Sequence, residues 1–267
     1  MRAPETTPDI CAVAEPSHLR APGLTAAAIV SCPLPHLGLG DRLLLRGLAL
    51  FAARHVVAID GLQHIRRAQD PFILAANHST RRESLLVPAL LLLHRGGSIV
   101  HFLADWNFRL IPGVALLYAR AQVVTVTRKP AKPRFLNVLK PLYQQSRSTL
   151  ERASAHLTAG RAVGIFPEGE INTDPRRLLR GRRGAARLSL ETGAPVVPMG
   201  IRFPGDKRGR AGGMTMELRI GAPLVPVRAA GHRASLSAVS DWHGVIMSEI
   251  GRLADKTWTA RVSRHDD

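Results

Sequence analysis

The sequence predicts an α/β fold in which helices flank a mixed, largely parallel sheet. From residue 55 onward, short β-branched runs alternate with helical stretches, as expected for strands that are joined through helices. Only 4% of the residues are aromatic, so the core has to be built from Ala, Val, Leu and Ile, a composition that suits helices packed on a buried sheet. The 267 residues, 45% of them hydrophobic, suffice for one large core. We therefore expect a single domain.

The individual elements follow from local periodicity. Strands are predicted at residues 55–60, 71–76, 98–104, 122–128, 162–166, 195–203 and 214–220. Helices are predicted at residues 84–94, 106–117, 148–159, 182–191 and 236–254. Pro88 is expected in or near the first turn of its helix, where a missing N–H costs no hydrogen bond. In such folds, functional residues lie in loops at the strand ends.

Residues 1–40 are expected to form an irregular N-terminal extension, and residues 41–267 the folded domain. The extension carries Glu5 and Asp9 where a secretory signal would carry positive charge. Both cysteines, Cys11 and Cys32, lie within it, with neither metal-ligand spacing nor a disulfide framework. Their presence is compatible with a reducing compartment or with indifference to redox state.

The net charge of +17 predicts an anionic partner. Residues 128–187 contain 14 Lys and Arg against 4 Asp and Glu, so the excess is concentrated in the middle of the chain. Lipid headgroups, phosphorylated substrates and nucleic acid all fit this charge. A nucleic-acid binder would also need stacking aromatics or a DNA-binding motif, and only Phe135 and Tyr143 accompany the first half of the cluster. We therefore expect no nucleic acid as a partner.

The apolar stretches predict no spanning helix, because none reaches the roughly 18 apolar residues that a span requires. Residues 43–53 either lie in a headgroup layer as a short amphipathic helix or pack on the protein's own core. The same two alternatives apply to residues 110–118, which include Pro112 and Gly113. No histidines have metal-binding spacing, so we expect no metal site.

The stretch from Asn77 to Glu83 is the principal candidate for catalysis. His78 directly follows an apolar strand and directly precedes a helix, which places it at the edge of the sheet. On one straight helix, His78 and Glu83 would point about 140° apart, so they meet only if His78 lies in the loop and Glu83 in the first helical turn. The carboxylate would then orient the imidazole as a general base. The alternative is a surface histidine and a first-turn glutamate favoured by the helix dipole.

Three later segments accompany this stretch: Phe166-Pro-Glu-Gly169, the basic run Arg180 to Arg187, and Ala194-Pro-Val-Val-Pro-Met-Gly-Ile201. In order and spacing, the four blocks resemble those of the glycerolipid or lysophospholipid acyltransferase family, typified by 1-acylglycerol-3-phosphate acyltransferases. The resemblance covers residues 55–225. It implies a single α/β domain at the cytoplasmic face of the cell membrane, peripheral or monotopic, that moves an acyl chain from acyl-CoA or acyl carrier protein to a lysolipid hydroxyl. It implies no cofactor and no acyl-enzyme.

The resemblance also implies roles for single residues. His78 would be the general base and Glu83 its orienting partner. The substrate-binding residues that it implies are Arg128, at the end of Val126-Thr-Arg128, then Glu168 and Gly169 for the acceptor, the basic pair Arg182 and Arg183, and Pro198 beside the acyl-side pocket.

Three departures from the family pattern bear on the acceptor. The first block ends in Glu83 where Asp is usual, and Gln122 stands where the family block that ends in Val126-Thr-Arg128 usually opens with Gly. After Gly169 the chain continues Glu170-Ile171 instead of the usual Thr-Arg, which removes a positive charge and adds a negative one. Two alternatives therefore stay open: a different lysolipid acceptor, such as an aminolipid, or a membrane-associated lipid-binding homologue without catalysis.

Overall fold

The computed structural model describes residues 25–35, 37–107, 119–120, 122–126, 130, 134–139, 141, 147–204, 215–227 and 234–260. Its strands are β1 (Val56–Asp60), β2 (Ile73–Ala76), β3 (Val100–Asp105), β4 (Val124–Val126), β5 (Ala162–Ile165), β6 (Val196–Arg202) and β7 (Met216–Ile220). Its α-helices are α1 (Ala26–Ser31), α2 (Leu39–Ala52), α3 (Glu83–His94), α4 (Thr149–Thr158), α5 (Gly184–Thr192) and α6 (Leu236–Ala254). Short 3-10 helices cover Leu62–Ile65, Arg67–Gln69 and Arg134–Leu139.

The strands form one seven-stranded sheet in the order β1-β7-β6-β2-β5-β3-β4. Neighbouring strands are parallel except for the antiparallel pair β6 and β7. Five adjacent strands, from β6 to β4, therefore point the same way and end at the same edge. The three central ones, β6, β2 and β5, bring the chain segments that follow them close together.

Helices cover both faces of the sheet, which accounts for the apolar central strands. The helices α1, α2 and α3 pack on one face with Leu74 and Ala76 of β2, while α4, α5 and α6 pack on the other with Ile73 and Ala75. This alternation of side chains is the two-residue period of a strand. The predicted fold class is confirmed.

Several predicted elements shift at their ends. The last helix, α6, coincides with its prediction, whereas α5 begins at residue 184 rather than 182. Because α3 starts one residue earlier than predicted, at Glu83, Pro88 is its sixth residue and lies in the second turn, not the first. The helix predicted over 106–117 and the apolar stretch 110–118 lie largely outside the described residues, as do positions 127 and 128 of the strand predicted over 122–128.

The expected N-terminal extension contains ordered structure. Helix α1 lies within it, and Thr25, the residue before the helix, caps it with a side chain that accepts from the N–H of Ala28. Ile29, Cys32 and Leu34 are buried in the core on the α2 and α3 side. Residues 25–35 therefore belong to the packed domain, because their apolar side chains cover a face of α2 and α3. Residues 1–24 lie outside the described part of the chain.

Candidate active site

The candidate site lies where β2, β5 and β6 end side by side. His78 follows β2 by two residues, and the segment Phe166 to Gly169 follows β5 directly. Strands β2 and β6 are joined beyond their last paired residues by Asn77, which is fully buried. Its side-chain Oδ1 accepts from the N–H of Ile201 at 2.6 Å, and its Nδ2 donates to the carbonyl of Ile201 at 3.0 Å. The loop carrying His78 therefore starts from a fixed point.

His78 and Glu83 meet as their spacing predicts. His78 lies in the loop before α3, and Glu83 is the first residue of that helix. The imidazole Nδ1 and the carboxylate Oε2 are 3.0 Å apart. Because an ionised carboxylate only accepts hydrogen bonds, Nδ1 carries the proton and the lone pair is left on Nε2.

The Glu83 carboxylate is held by the backbone as well as by the imidazole. Its two oxygens accept from the N–H of Ser79, at 2.8 and 3.1 Å, and from the N–H of Thr80 at 2.9 Å. Glu83 is completely buried, and its place at the N-terminus of α3 adds the favourable field of the helix dipole. These contacts fix the orientation of the carboxylate, and through the carboxylate they fix the orientation of the imidazole.

Phe166 supports the other side of the imidazole. Its ring lies 4.6 Å from that of His78, centroid to centroid, with 28° between the planes. The side chain of His78 remains 12% exposed. No described residue is hydrogen-bonded to Nε2 of His78. Nε2 of His78 is thus the ring nitrogen that Glu83 does not occupy, on the partly exposed member of a largely buried pair.

Glu168 holds the main chain of the His78 loop. One carboxylate oxygen accepts from the N–H of His78 at 3.0 Å, and the other accepts from Nδ2 of Asn172 at 2.7 Å and from the N–H of Leu179 at 2.9 Å. Asn172 in turn donates its N–H to the carbonyl of His78 at 2.8 Å. The three donors come from the chain itself, so Glu168 acts here as a bracket between loops.

Gly169 and the arginine pair lie beside this bracket. Gly169 has a φ of 72°, and a Cβ there would lie 2.6 Å from Nε of Arg182. The backbone angle favours glycine, and a side chain at this position would also have to displace Arg182. The N–H of Arg182 donates to the carbonyl of Pro167, and both Arg182 and Arg183 are exposed at the start of α5. Arg182 thus places a positive charge next to the segment that follows β5.

The structure does not bring Pro198 to the His78 loop. Pro198 is buried within β6, opposite Ala75 of β2. Its ring and the side chain of Leu253 each lie 3.0 Å from the place of a Cβ on Gly221, so it faces α6, on the other side of the sheet from Phe166. Arg128 lies outside the described residues.

Sequence reasoning missed four residues of the site: Asn77, Ser79, Asn172 and Lys256. Lys256 is the second residue after α6, is buried, and donates from Nζ to Oγ of Ser79 at 3.2 Å and to the carbonyl of Asp174 at 2.8 Å. Burial lowers the pKa of Lys256, and the carboxylates of Glu168, Glu83 and Asp174 partly oppose this. Asn77 and Ser79 lie within the first block and Asn172 closely follows another, which is a usable signal, whereas a single lysine 177 residues away from its partner gives none.

Comparisons with known proteins agree with the fold and with the resemblance to acyltransferases. A family model described as Acyltransferase matches residues 56–202. The fold is similar to the crystal structure of the 1-acyl-sn-glycerophosphate (LPA) acyltransferase PlsC from Thermotoga maritima, with a TM-score of 0.53 and 18% sequence identity over 86% of this chain and 89% of that chain. A sequence comparison with curated proteins gives no match.

Proposed function

Because this chain belongs to the acyltransferase family, a family model of which matches residues 56–202, we propose that it transfers an acyl chain from acyl-CoA or acyl carrier protein to the free hydroxyl of a lysophospholipid. The proposed acceptor is 1-acylglycerol-3-phosphate. The observation that carries the proposal is the 3.0 Å contact between Nδ1 of His78 and Oε2 of Glu83. With Nδ1 directed to the carboxylate, we propose Nε2 as the nitrogen that acts as the base.

The proposed reaction is a direct transfer. Nε2 of His78 takes the proton of the acceptor hydroxyl while its oxygen attacks the thioester carbonyl. Glu83 stabilises the imidazolium that forms and keeps the ring in place. When the tetrahedral intermediate collapses, the carbon–sulfur bond breaks and the imidazolium returns the proton to the departing thiolate. The products are the diacyl lipid and the free thiol.

An acyl-transfer assay with a panel of lysolipids tests this proposal. We expect His78→Ala to lower kcat by about a thousandfold or more and Glu83→Gln by about a hundredfold or more, because one removes the base and the other its charge partner. The matched control is His64→Ala, on a 3-10 helix before β2. Full activity in His78→Ala would contradict the proposed mechanism. A wild-type protein that binds lysolipid without transferring to it would favour the non-catalytic homologue.

Arg182 supports an acceptor that carries a phosphate. Its guanidinium lies against Gly169, directly after the Glu168 bracket. Guanidinium groups bind phosphate through paired N–H donors. We expect Arg182→Met to raise the KM for 1-acylglycerol-3-phosphate by about tenfold or more with less change in kcat. Arg187→Met is the control, since Arg187 is paired with Glu191 at 2.7 Å on α5.

Glu170 favours the second candidate, a different lysolipid acceptor. It is exposed, lies next to Gly169 and adds negative charge where a phosphate would be bound. An amine-bearing headgroup would be attracted to this carboxylate. If the headgroup is the amine, we expect the wild type to have a higher kcat/KM for an aminolipid acceptor than for 1-acylglycerol-3-phosphate, and Glu170→Gln to narrow this difference. A wild-type preference for 1-acylglycerol-3-phosphate supports the phosphate.

We further propose that the protein binds an anionic membrane surface through α2. Leu39 and Leu43, one turn apart on this helix, are 74% and 61% exposed, and Phe51 is 49% exposed. Among the described residues, no helix is long and apolar enough to cross a bilayer. Arg42 and Arg46 lie on the same helix, and Arg54 follows it. An apolar helix face with such cationic neighbours fits insertion at the level of the headgroups.

Cosedimentation with vesicles tests this surface. We expect Leu43→Ser to weaken binding to vesicles that contain phosphatidylserine, whereas Val245→Ser, at a half-exposed valine of α6, leaves it unchanged. Salt should weaken the binding by screening the anionic lipid. Equal binding of wild type and Leu43→Ser would place the contact elsewhere, and retention on DNA in place of vesicles would support the nucleic-acid alternative.

A further inference from the structure

Lys256 reaches the site from the far end of the chain through a fixed turn. Asp255 ends α6 in the left-handed region, with a φ of 53°, and the N–H of Lys256 donates to the carbonyl of Gly251 at 2.9 Å. A Cβ on Gly251 would lie 2.6 Å from the carbonyl oxygen of Lys256, so glycine allows this close return of the chain. The turn directs the lysine towards the loop that carries His78.

Both sides of the turn are anchored. Before Lys256, the carboxylate of Asp255 forms ion pairs with Arg202, the last residue of β6, and with Arg219 of β7 at 3.5 Å. After it, Thr257 pairs with the loop beyond Glu168, donating its N–H to Arg176 at 2.8 Å and accepting from the N–H of Leu178 at 2.9 Å. The backbone of Lys256 is therefore held before the ammonium makes any contact.

The ammonium bridges the two loops that surround His78. One donated bond goes to Oγ of Ser79, the residue after His78, at 3.2 Å. The other goes to the carbonyl of Asp174 at 2.8 Å, in the loop that also supplies Asn172. A carbonyl oxygen can only accept, so Nζ of Lys256 is the donor.

The charges around Lys256 explain why a cation is buried there. Glu83 is completely buried and Glu168 is 4% exposed, and both carboxylates act on Lys256, together with Asp174. Two buried carboxylates that both act on one side chain are stabilised by a compensating charge on it. Among the described residues, the ionisable groups that act on Lys256 in this way are all acidic.

We propose that Lys256 is a positioning residue for acyl transfer, whose buried ammonium neutralises the charge of Glu83 and Glu168 and holds Ser79, so that the His78–Glu83 pair stays in its reactive arrangement. This inference rests on the proposed function. Lys256 contacts no reacting atom in this arrangement; it acts through Glu83 and through the loop.

Two substitutions separate the charge of Lys256 from its shape. Lys256→Met keeps the length and removes the charge, and Lys256→Arg keeps the charge. We expect Lys256→Met to lower kcat by about 10- to 100-fold, the range found for residues that orient a catalytic group, with the acceptor KM changed by less than about threefold. Lys256→Arg should recover part of the loss.

The pH profile of kcat/KM gives the readout that a purely structural role would not move. Loss of a nearby positive charge favours protonation of the His78–Glu83 pair, whichever member takes the proton. The acid limb of the profile should therefore move to higher pH in Lys256→Met, by about one pH unit. In Lys256→Arg it should stay at the wild-type position.

The control is Arg252→Met, which removes a cation from the last turn of the same helix, where Arg252 is paired with Glu249 at the surface. It should leave kcat within about twofold of wild type. Should Lys256→Met not fold, Lys256→Gln, which keeps an N–H donor without charge, gives the same comparison. The role of Lys256 is overturned if the wild type is active and the neutral variant has the same kcat and the same acid limb of the pH profile. A wild type that transfers no acyl group overturns the proposed function itself.

Discussion

The carboxylate of Glu168 accepts a hydrogen bond from the backbone N–H of His78 at 3.0 Å, across 90 positions of the sequence. Its second oxygen is occupied by Asn172 and Leu179. The resemblance to known acyltransferases suggested that Glu168 binds the acceptor. Its contacts in this protein instead join the loop after β2 to the loop after β5.

Replacing Glu168 by Gln should therefore act on kcat and stability more than on acceptor binding. An amide turns one acceptor oxygen into a donor, which leaves an N–H of the chain facing another N–H. We expect the free energy of unfolding to fall by about 1–3 kcal/mol and kcat to fall with it, while the acceptor KM changes little. Urea unfolding and steady-state kinetics measure the two effects. A selective rise in KM would restore the role in acceptor binding.

Shortening Glu83 to Asp tests how closely the loop is fitted to the longer side chain. The carboxylate would withdraw by about 1.5 Å, one carbon–carbon bond, from three donors that now lie at 2.8 to 3.0 Å. We expect kcat to drop by about 10- to 100-fold. Glu191→Asp, at an exposed position of α5, provides the comparison. Wild-type activity in Glu83→Asp would mean that the loop adapts to either residue.

Removing the side chain of Asn77 should destabilise the edge of the sheet. In Asn77→Ala, the N–H and the carbonyl of Ile201 both lose their partner in a fully buried place. An unsatisfied buried group costs about 1–3 kcal/mol, so we expect a loss of about 2–4 kcal/mol in the free energy of unfolding. Urea unfolding measures it, with Gln69→Ala as an exposed control. A loss of stability no larger than that of the control would show that the hydrogen bonds of Asn77 to Ile201 do not stabilise this edge of the sheet.

His156 of α4 should make the protein less stable in mild acid. Its ring is stacked on that of His101 at 4.0 Å between centroids, and burial, followed by the charges of His101, Arg161 and Arg152, lowers the pKa of His156 from 6.5 to about 4. The unfolded chain takes up a proton below pH 6.5, whereas the folded protein does so only near pH 4. The free energy of unfolding must therefore decrease as the pH falls through this window.

Replacing His156 by Phe keeps a ring against His101 and removes the titrating group. We expect the dependence of the free energy of unfolding on pH to become shallower between pH 6.5 and pH 4. Urea titrations at several pH values measure the slope, and His64→Phe is the control. Equal slopes in His156→Phe and wild type would show that other groups dominate the acid sensitivity.

Sequence reasoning predicted the parts of the site that depend on patterns within a short stretch of the chain. The pair His78 and Glu83 follows from a strand, a loop and a helix start within ten residues, and α6 follows from nineteen residues of helical periodicity. The role of Glu168 as a bracket and the buried position of Lys256 depend on partners far away in the chain. Pro198 shows the same limit, since its place in a strand was predictable but the face that it occupies was not.

The wide separation of these contacts affects when the enzyme becomes active during its own synthesis. Lys256 lies 177 positions after Ser79, so His78 and its loop emerge from the ribosome well before the lysine that contacts this loop. At about 5–20 residues per second, this gap lasts roughly 9–35 s. If the role proposed for Lys256 is correct, a growing chain carries the motif throughout that interval without a finished catalytic arrangement. Acyl transfer then begins only once α6 has docked and Lys256 has reached Ser79.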